Sequence, residues 1–263
     1  MSVVQLSSVD DPRAADYVAL REATLRRSGA DAAFIAEGEL VIRRAVAAGY
    51  QPRSFLLAPR WVEPLREVWQ GFSVPVLTAP AATIEALTGF HVHRGALASF
   101  RREQRWTVPG LLAHCSRLVV AQDVVDHANL GAIARTTAAL GWDGLLLSPG
   151  SADPLYRRAI KASMGVVLGL AWARAHDNSQ VLRELRTAGF TTVALALSPD
   201  ATDLAEVARQ DLGRRAILLG TEGHGLSPDW VAAADVVARI PMAVGVDSLN
   251  VAAAAAVAAY VLR

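Results

Sequence analysis

From residue 117 onward the chain alternates short, mainly apolar runs with segments whose apolar positions recur every three or four residues. The runs at 117–121, 144–147, 167–172, 192–197, 215–219 and 236–240 read as strands buried on both faces. The intervening segments 130–140, 154–162, 178–188, 201–208, 228–233 and 248–262 read as helices. Such alternation is the mark of an α/β fold with a parallel sheet. Ser198-Pro199-Asp200 and Ser227-Pro228-Asp229 each place a capping serine, a first-turn proline and an acid suited to the helix dipole, so each predicts a helix start.

The first third also alternates, with smaller elements. Helices are predicted over 14–27, from Phe34 to Ala48 with a stop at Gly49, and over 61–70 and 81–87. Strands are predicted at 54–57, 74–77 and 95–100. The polar run Arg101-Arg102-Glu103-Gln104-Arg105 and the following Pro109-Gly110 read as a linker, which divides the chain into domains 1–106 and 107–263.

Composition narrows the possibilities. With 52% hydrophobic and 19% charged residues and a mean hydropathy of +0.28, the 263 residues can bury a core and are not a disordered chain. Lys and Arg total 26 against 25 acids, so no strong overall field attracts nucleic acid or an anionic membrane, and any such contact must come from local patches. Lys161 is the only lysine. In residues 1–106, 13 arginines face 11 acids; Arg21, Arg26, Arg27, Arg43, Arg44, Arg53, Arg94, Arg101, Arg102 and Arg105 are the candidates there for RNA backbone contacts, against a default reading of solvated surface charge. Cys115 is alone, which excludes an internal disulfide framework and a thiolate metal cluster. His91 and His93 could share a strand face, but no third ligand stands nearby, so no metal is expected. The first twelve residues lack a basic region followed by an apolar run, and the apolar tail Ser248 to Leu262 is shorter than the roughly 20 residues that span a bilayer. A cytoplasmic protein with no membrane partner is the expectation.

In a parallel sheet, ligands collect at the carboxyl ends of the strands, and three loops there carry chemistry-bearing residues. The first runs Asp126-His127-Ala128-Asn129-Leu130-Gly131 and opens a helix bearing Arg135. The second is Gly220-Thr221-Glu222-Gly223-His224-Gly225-Leu226. The third runs from Ile240-Pro241-Met242 to Asp247-Ser248-Leu249-Asn250. The second resembles a dinucleotide cradle, but its glycines are wrongly spaced and Glu222 would stand where a pyrophosphate should lie. A ligand without phosphates suits it better, and a nicotinamide oxidoreductase is disfavoured.

Together the loops resemble the SpoU or TrmH-like branch of the trefoil-knot (SPOUT) RNA ribose methyltransferases. The likeness rests on Asn129-x-Gly131-x-x-x-Arg135, Leu219-Gly220-x-Glu222-x-x-Gly225-Leu226, Ile240-Pro241-Met242 and Ser248-Leu249-Asn250-Val251, and spans about residues 117–263. The first third, with Phe34-Ile35-Ala36-Glu37-Gly38 before an amphipathic helix, is similar to the ribosomal-protein-like α/β substrate-binding domain that precedes many members. One departure stands out: His127 occupies a position where the family usually has proline, which removes a fixed φ angle.

The resemblance implies a knotted methyltransferase domain behind a small RNA-binding domain. It implies transfer of a methyl group from S-adenosyl-L-methionine to a ribose 2′-hydroxyl, with ribosomal RNA ahead of tRNA and an inactive RNA-binding or ribosome-assembly factor as the non-enzyme alternative. Gly220, Ile240, Met242, Ser248 and Leu249 would bind the cofactor. Arg135, Asn129, Glu222, Ser248 and Asn250 would form the catalytic site. Arg135 would act as a base or, more easily for a group as basic as a guanidinium, as a fixed charge that stabilises the alkoxide or holds a phosphate. Asn129 would cap the helix that carries Arg135, Glu222 would pair with Arg135 or with a neighbouring site, and Ser248 and Asn250 would begin the final helix. The alanine-rich final helix implies a homodimer.

Overall fold

The computed structural model describes residues 3–6, 8–18, 32–89, 95–246 and 248–263. It divides into two compact units, one of Met1–Glu103 with Leu155–Gly169 and one of Gln104–Pro154 with Leu170–Arg263. The expectations for His91, His93, Arg21, Arg26, Arg27 and Arg94, and for the helix beyond residue 18, fall outside the described residues.

The first unit is built on a five-stranded mixed sheet. Its strands are β1 (Val3–Gln5), β2 (Ala33–Glu37), β3 (Pro52–Leu57), β4 (Val76–Thr78) and β5 (Ala96–Arg101), in the order β1-β4-β3-β5-β2. β5 runs antiparallel to both β2 and β3, and the other pairs are parallel. Phe34 to Ala48 is not one helix. Ala33 to Ala36 are all buried and form β2, and Gly38, at φ +91, turns the chain into the Glu39–Ala47 helix. A short continuous apolar run carries no period that separates strand from helix, which is why the two elements merged in the sequence. Pro12–Tyr17 is a 3-10 helix, fixed by the buried Tyr17 hydroxyl, which donates to the Ser54 carbonyl at 2.8 Å. The expected helix over 61–70 is two single turns, Pro59–Val62 and Arg66–Trp69.

Leu155–Gly169 belongs to this first unit although it lies in sequence between two strands of the other sheet. The Glu37 side chain, only 5% exposed at the end of β2, accepts from Arg157 at 2.8 Å, and the Lys161 ammonium stands 3.7 Å from its other oxygen. Arg44 donates to the Met164 carbonyl, and Gly165 packs against Val41.

The second unit carries a seven-stranded sheet in which every pair is parallel. Its strands are β6 (Arg117–Ala121), β7 (Gly144–Leu147), β8 (Ala171–Arg174), β9 (Thr191–Leu195), β10 (Thr202–Asp203), β11 (Arg215–Leu219) and β12 (Val236–Arg239), in the order β10-β12-β9-β11-β6-β7-β8. The run 167–172 splits: Val166–Leu168 is a 3-10 turn, and β8 starts only at Ala171, after Gly169. Ser198-Pro199-Asp200 caps no helix. It forms a turn, with Ala201 N–H on the Ser198 carbonyl at 3.0 Å, and only Leu204–Val207 beyond it is helical. Pro109-Gly110 lies inside the Val108–His114 helix, where Thr107 accepts the Gly110 N–H at 3.2 Å and Leu111 and Leu112 are buried.

Cys115 closes that helix at the amino end of β6 within the apolar core. Burial, with a smaller contribution from the charge of Asp143, pushes its thiol up to about 12. Thiolate is the reactive form, so the native protein at pH 8 is expected to ignore a thiol-exchange reagent that labels the denatured chain fully. Stoichiometric labelling of the native protein within minutes would contradict this placement.

Candidate functional site

The site is assembled where the order of the parallel strands reverses. β6 and β11 are neighbours in register, with Ala121 opposite Leu219, so the loops that follow them leave the sheet at one level. The chain then leads from β6 to β7 on one side and from β11 past β9 to β12 on the other, the strand arrangement beside which open parallel sheets bind ligands. A reciprocal amide clamp joins the segments that follow β6 and β11. Gln122 Nε2 donates to Ser227 Oγ at 2.9 Å, and Ser227 N–H donates to Gln122 Oε1 at 2.9 Å. The Ser227 hydroxyl therefore binds Gln122 rather than capping Pro228–Ala233.

The loop after β11 folds back on its own start. Thr221 and Gly225 exchange two backbone hydrogen bonds of 3.1 and 3.0 Å, and Gly223 and Gly225 take φ values of +96 and +69. A Cβ on Gly220 would stand 2.0 Å from the Gly225 carbonyl carbon and 2.1 Å from the Leu226 nitrogen. The space that makes residue 220 a glycine is thus filled by the loop itself. The collapse leaves Glu222 half-buried and aimed at the loop after β6, with His224 exposed at the tip.

Three of the expected catalytic residues meet here. Asn129 Nδ2 donates to Glu222 Oε1 at 2.6 Å, and Asn250 Nδ2 donates to Asn129 Oδ1 at 3.0 Å. Asn250 Oδ1 in turn accepts from the N–H groups of Ala252 and Ala253 and caps the Val251–Val261 helix. One line of hydrogen bonds therefore joins all three loops and ends on a helix N-terminus. Asn129 does not cap its own helix. That helix, His127–Ala139, begins three residues earlier than such a cap would need, and Asp126 Oδ1 accepts the Asn129 N–H at 2.9 Å. The carboxylate cap starts the helix at His127 without the usual proline. Asp126 was missed as a functional residue, although an acid three positions ahead of Asn129 is a capping signal.

Arg135 projects from the same helix as an exposed side chain, without a hydrogen bond or ion pair to a described residue. Among the described residues, the Glu222 carboxylate bonds to Asn129 and not to Arg135. Ser248 is exposed and lies before the final helix, which starts at Val251. Ile240 and Met242 are half-buried in the loop after β12, and Leu249 is 43% exposed. Leu197, Val244 and Val246 are also exposed in the loops after β9 and β12, so the carboxyl edge around β9 and β12 keeps an apolar lining open to solvent. Leu197 was hidden within an expected strand that ends at Leu195. Exposed apolar side chains of this kind suit the apolar part of a ligand. No group of three His, Cys, Asp or Glu that could hold a metal occurs among the described residues.

Residues 116–260 match the model of the SpoU rRNA methylase family. The chain belongs to that family. It is 38% identical over 99% of its length to a Mycobacterium bovis protein described as an uncharacterized tRNA/rRNA methyltransferase, 91% of which is covered. The AdoMet-bound rRNA methyltransferase from Sinorhizobium meliloti superposes with a TM-score of 0.82 at 27% identity, covering 99% of this chain and 97% of that one. An RNA 2′-O ribose methyltransferase superposes with a TM-score of 0.78 at 26% identity, covering 99% and 98%. Gly220, Glu222, Asn129 and Asn250 of this SpoU chain all lie inside the matched stretch. The family match also includes Leu155–Gly169, the segment that clusters with the first unit.

Gly220→Ala drives a Cβ into backbone that cannot step aside. The expected cost is more than about 2 kcal/mol, read as a lowered denaturation midpoint with loss of ligand binding. An alanine variant as stable as the parent would refute the collapsed loop.

Proposed function

We propose that this protein transfers a methyl group from S-adenosyl-L-methionine to a ribose 2′-hydroxyl of RNA, with ribosomal RNA the favoured substrate and tRNA the second. The observation that carries this reading is the hydrogen-bonded line Glu222–Asn129–Asn250, which ties the three family motifs together at the carboxyl edge of the sheet. Membership of the SpoU family and likeness to an AdoMet-bound relative support the same conclusion.

Gly220, Ile240, Met242, Ser248 and Leu249 would hold the cofactor, the apolar side chains lying against its ring and the backbone of the loops meeting its polar edges. The bound cofactor supplies a methyl group activated on a sulfonium. The chain's own residues act on the acceptor. The Arg135 guanidinium stabilises the negative charge that grows on the ribose oxygen or grips the adjacent phosphate. Asn129 and Asn250 hold the Glu222 carboxylate in one orientation, so the junction is set before substrate arrives.

The return of the chain from β12 to pack Val251–Val261 against His127–Ala139 is consistent with the trefoil knot of the family. Val257 and Tyr260 are 38% and 55% exposed on that helix, which supports a homodimer joined through it. Residues 1–106 would serve as the substrate-binding domain and 107–263 as the methyltransferase domain, working in the cytoplasm. Among the described residues no helix is long and apolar enough to cross a membrane.

Arg135→Ala is expected to lower methyl transfer at least about 100-fold while cofactor affinity stays within about twofold. Transfer of labelled methyl to ribosomal RNA and to tRNA, with calorimetry for the cofactor, measures both. Failure of the unaltered protein to methylate either RNA, or methylation of a base instead of a ribose, would overturn the reading.

A further inference from the structure

The total charge of +1 conceals an opposition between the two units. The unit made of Met1–Glu103 and Leu155–Gly169 holds 15 basic residues against 11 acids, a net +4, whereas the other holds 11 against 14, a net −3. Much of the excess comes from Leu155–Gly169, which brings Arg157, Arg158 and Lys161 and no acid. Several cations expected from sequence to meet RNA are instead neutralised within the fold. Arg43 pairs with Glu39 and Glu67, and Arg53 pairs with Asp16.

The Arg157–Ala162 helix also has ion pairs, of Arg157 and Lys161 with Glu37, but it keeps cationic side chains at the surface. It buries Ala159 and Ile160 and leaves Arg158 and Lys161 exposed, three positions apart and therefore on one face. Glu37 fixes the helix from beneath through Arg157, and 55% of the Lys161 side chain remains accessible even beside that carboxylate. Arg44, hydrogen-bonded to the Met164 carbonyl, adds a further guanidinium next to the segment. Cations presented on an anchored helix meet a phosphate without first paying the full entropy of ordering a loop.

We propose that the exposed face of Arg157–Ala162, with Arg158 and Lys161, is a contact surface for the phosphate backbone of the RNA substrate. The inference rests on the functional reading above and extends it. A stretch that lies within the methylase family match serves the first unit and supplies part of its grip on RNA. The charge of the units favours a polyanion on this one and disfavours it on the other.

The test measures binding of deproteinised large-subunit ribosomal RNA by the full-length protein across a salt series. The double variant Arg158→Gln/Lys161→Gln is compared with Arg183→Gln/Arg209→Gln, which removes the same charge from the exposed surface of the other unit. Loss of two phosphate contacts reduces the slope of log affinity against log salt by about 1.4–1.8 and weakens binding at 0.1 M salt about tenfold or more. Calorimetry with S-adenosyl-L-methionine is expected to give unchanged affinity for both variants, which reports that the methylase unit is folded. RNA binding with the parent slope in the Arg158→Gln/Lys161→Gln variant, or an equal loss in the control, would overturn this inference and leave the functional reading standing. Absence of RNA binding by the unaltered protein would overturn both. Stronger, Arg158- and Lys161-dependent binding to phosphatidylserine vesicles than to RNA would assign the surface to a membrane and also overturn it.

Discussion

The in-register pairing of β6 with β11 is the constraint on which the site depends. These strands are far apart in sequence, yet Ala121 lies opposite Leu219, so the two following loops leave the sheet side by side. A slip of one residue would turn every inward side chain of the strand to the opposite face and carry Glu222 away from Asn129. The pairing is secured by apolar side chains buried on both faces of the sheet and, just beyond it, by the reciprocal Gln122–Ser227 clamp. With the loops level, a single carboxylate and two amides suffice to connect three segments. Each amide uses both ends: Asn129 donates to Glu222 and accepts from Asn250, and Asn250 also caps the last helix. Substituting either amide would break two interactions, which makes the junction cooperative.

The same economy appears in the first unit. Glu37 stands at the end of β2, immediately before the glycine that starts the next helix, and it binds two cations from a segment well over a hundred residues away in sequence. A carboxylate this enclosed would be costly without partners, so the pairing fixes where Leu155–Gly169 can rest. The chain's charge is distributed accordingly, with the excess of basic residues in the unit that receives the segment.

Much of the fold was legible before any coordinates. Strands 117–121, 144–147 and 215–219 and the helix 228–233 have the same bounds in sequence and structure, because a buried parallel strand leaves an uninterrupted apolar run and Ser-Pro-Asp marks a helix start. The same local rules failed where context overrode them. Phe34 to Glu37 carried a helix-like continuation but became β2, and Ser198-Pro199-Asp200 carried a cap signal but had only a two-residue strand and one helical turn beyond it.

The sequence by itself determined the α/β class, the three chemistry-bearing loops and membership of the SpoU family, since apolar runs, glycines and loop residues are local features with local signatures. Only the tertiary structure decided which side chains meet. Glu222 and Asn250 lie 93 and 121 residues from Asn129, and no periodicity extends over such separations. It likewise decided that Asp126, not Asn129, caps the first motif helix, that the crowding at Gly220 comes from its own loop, and that residues 155–169 pack with the first unit. Each of these outcomes is fixed by shape and hydrogen-bond geometry between segments that the chain order keeps apart.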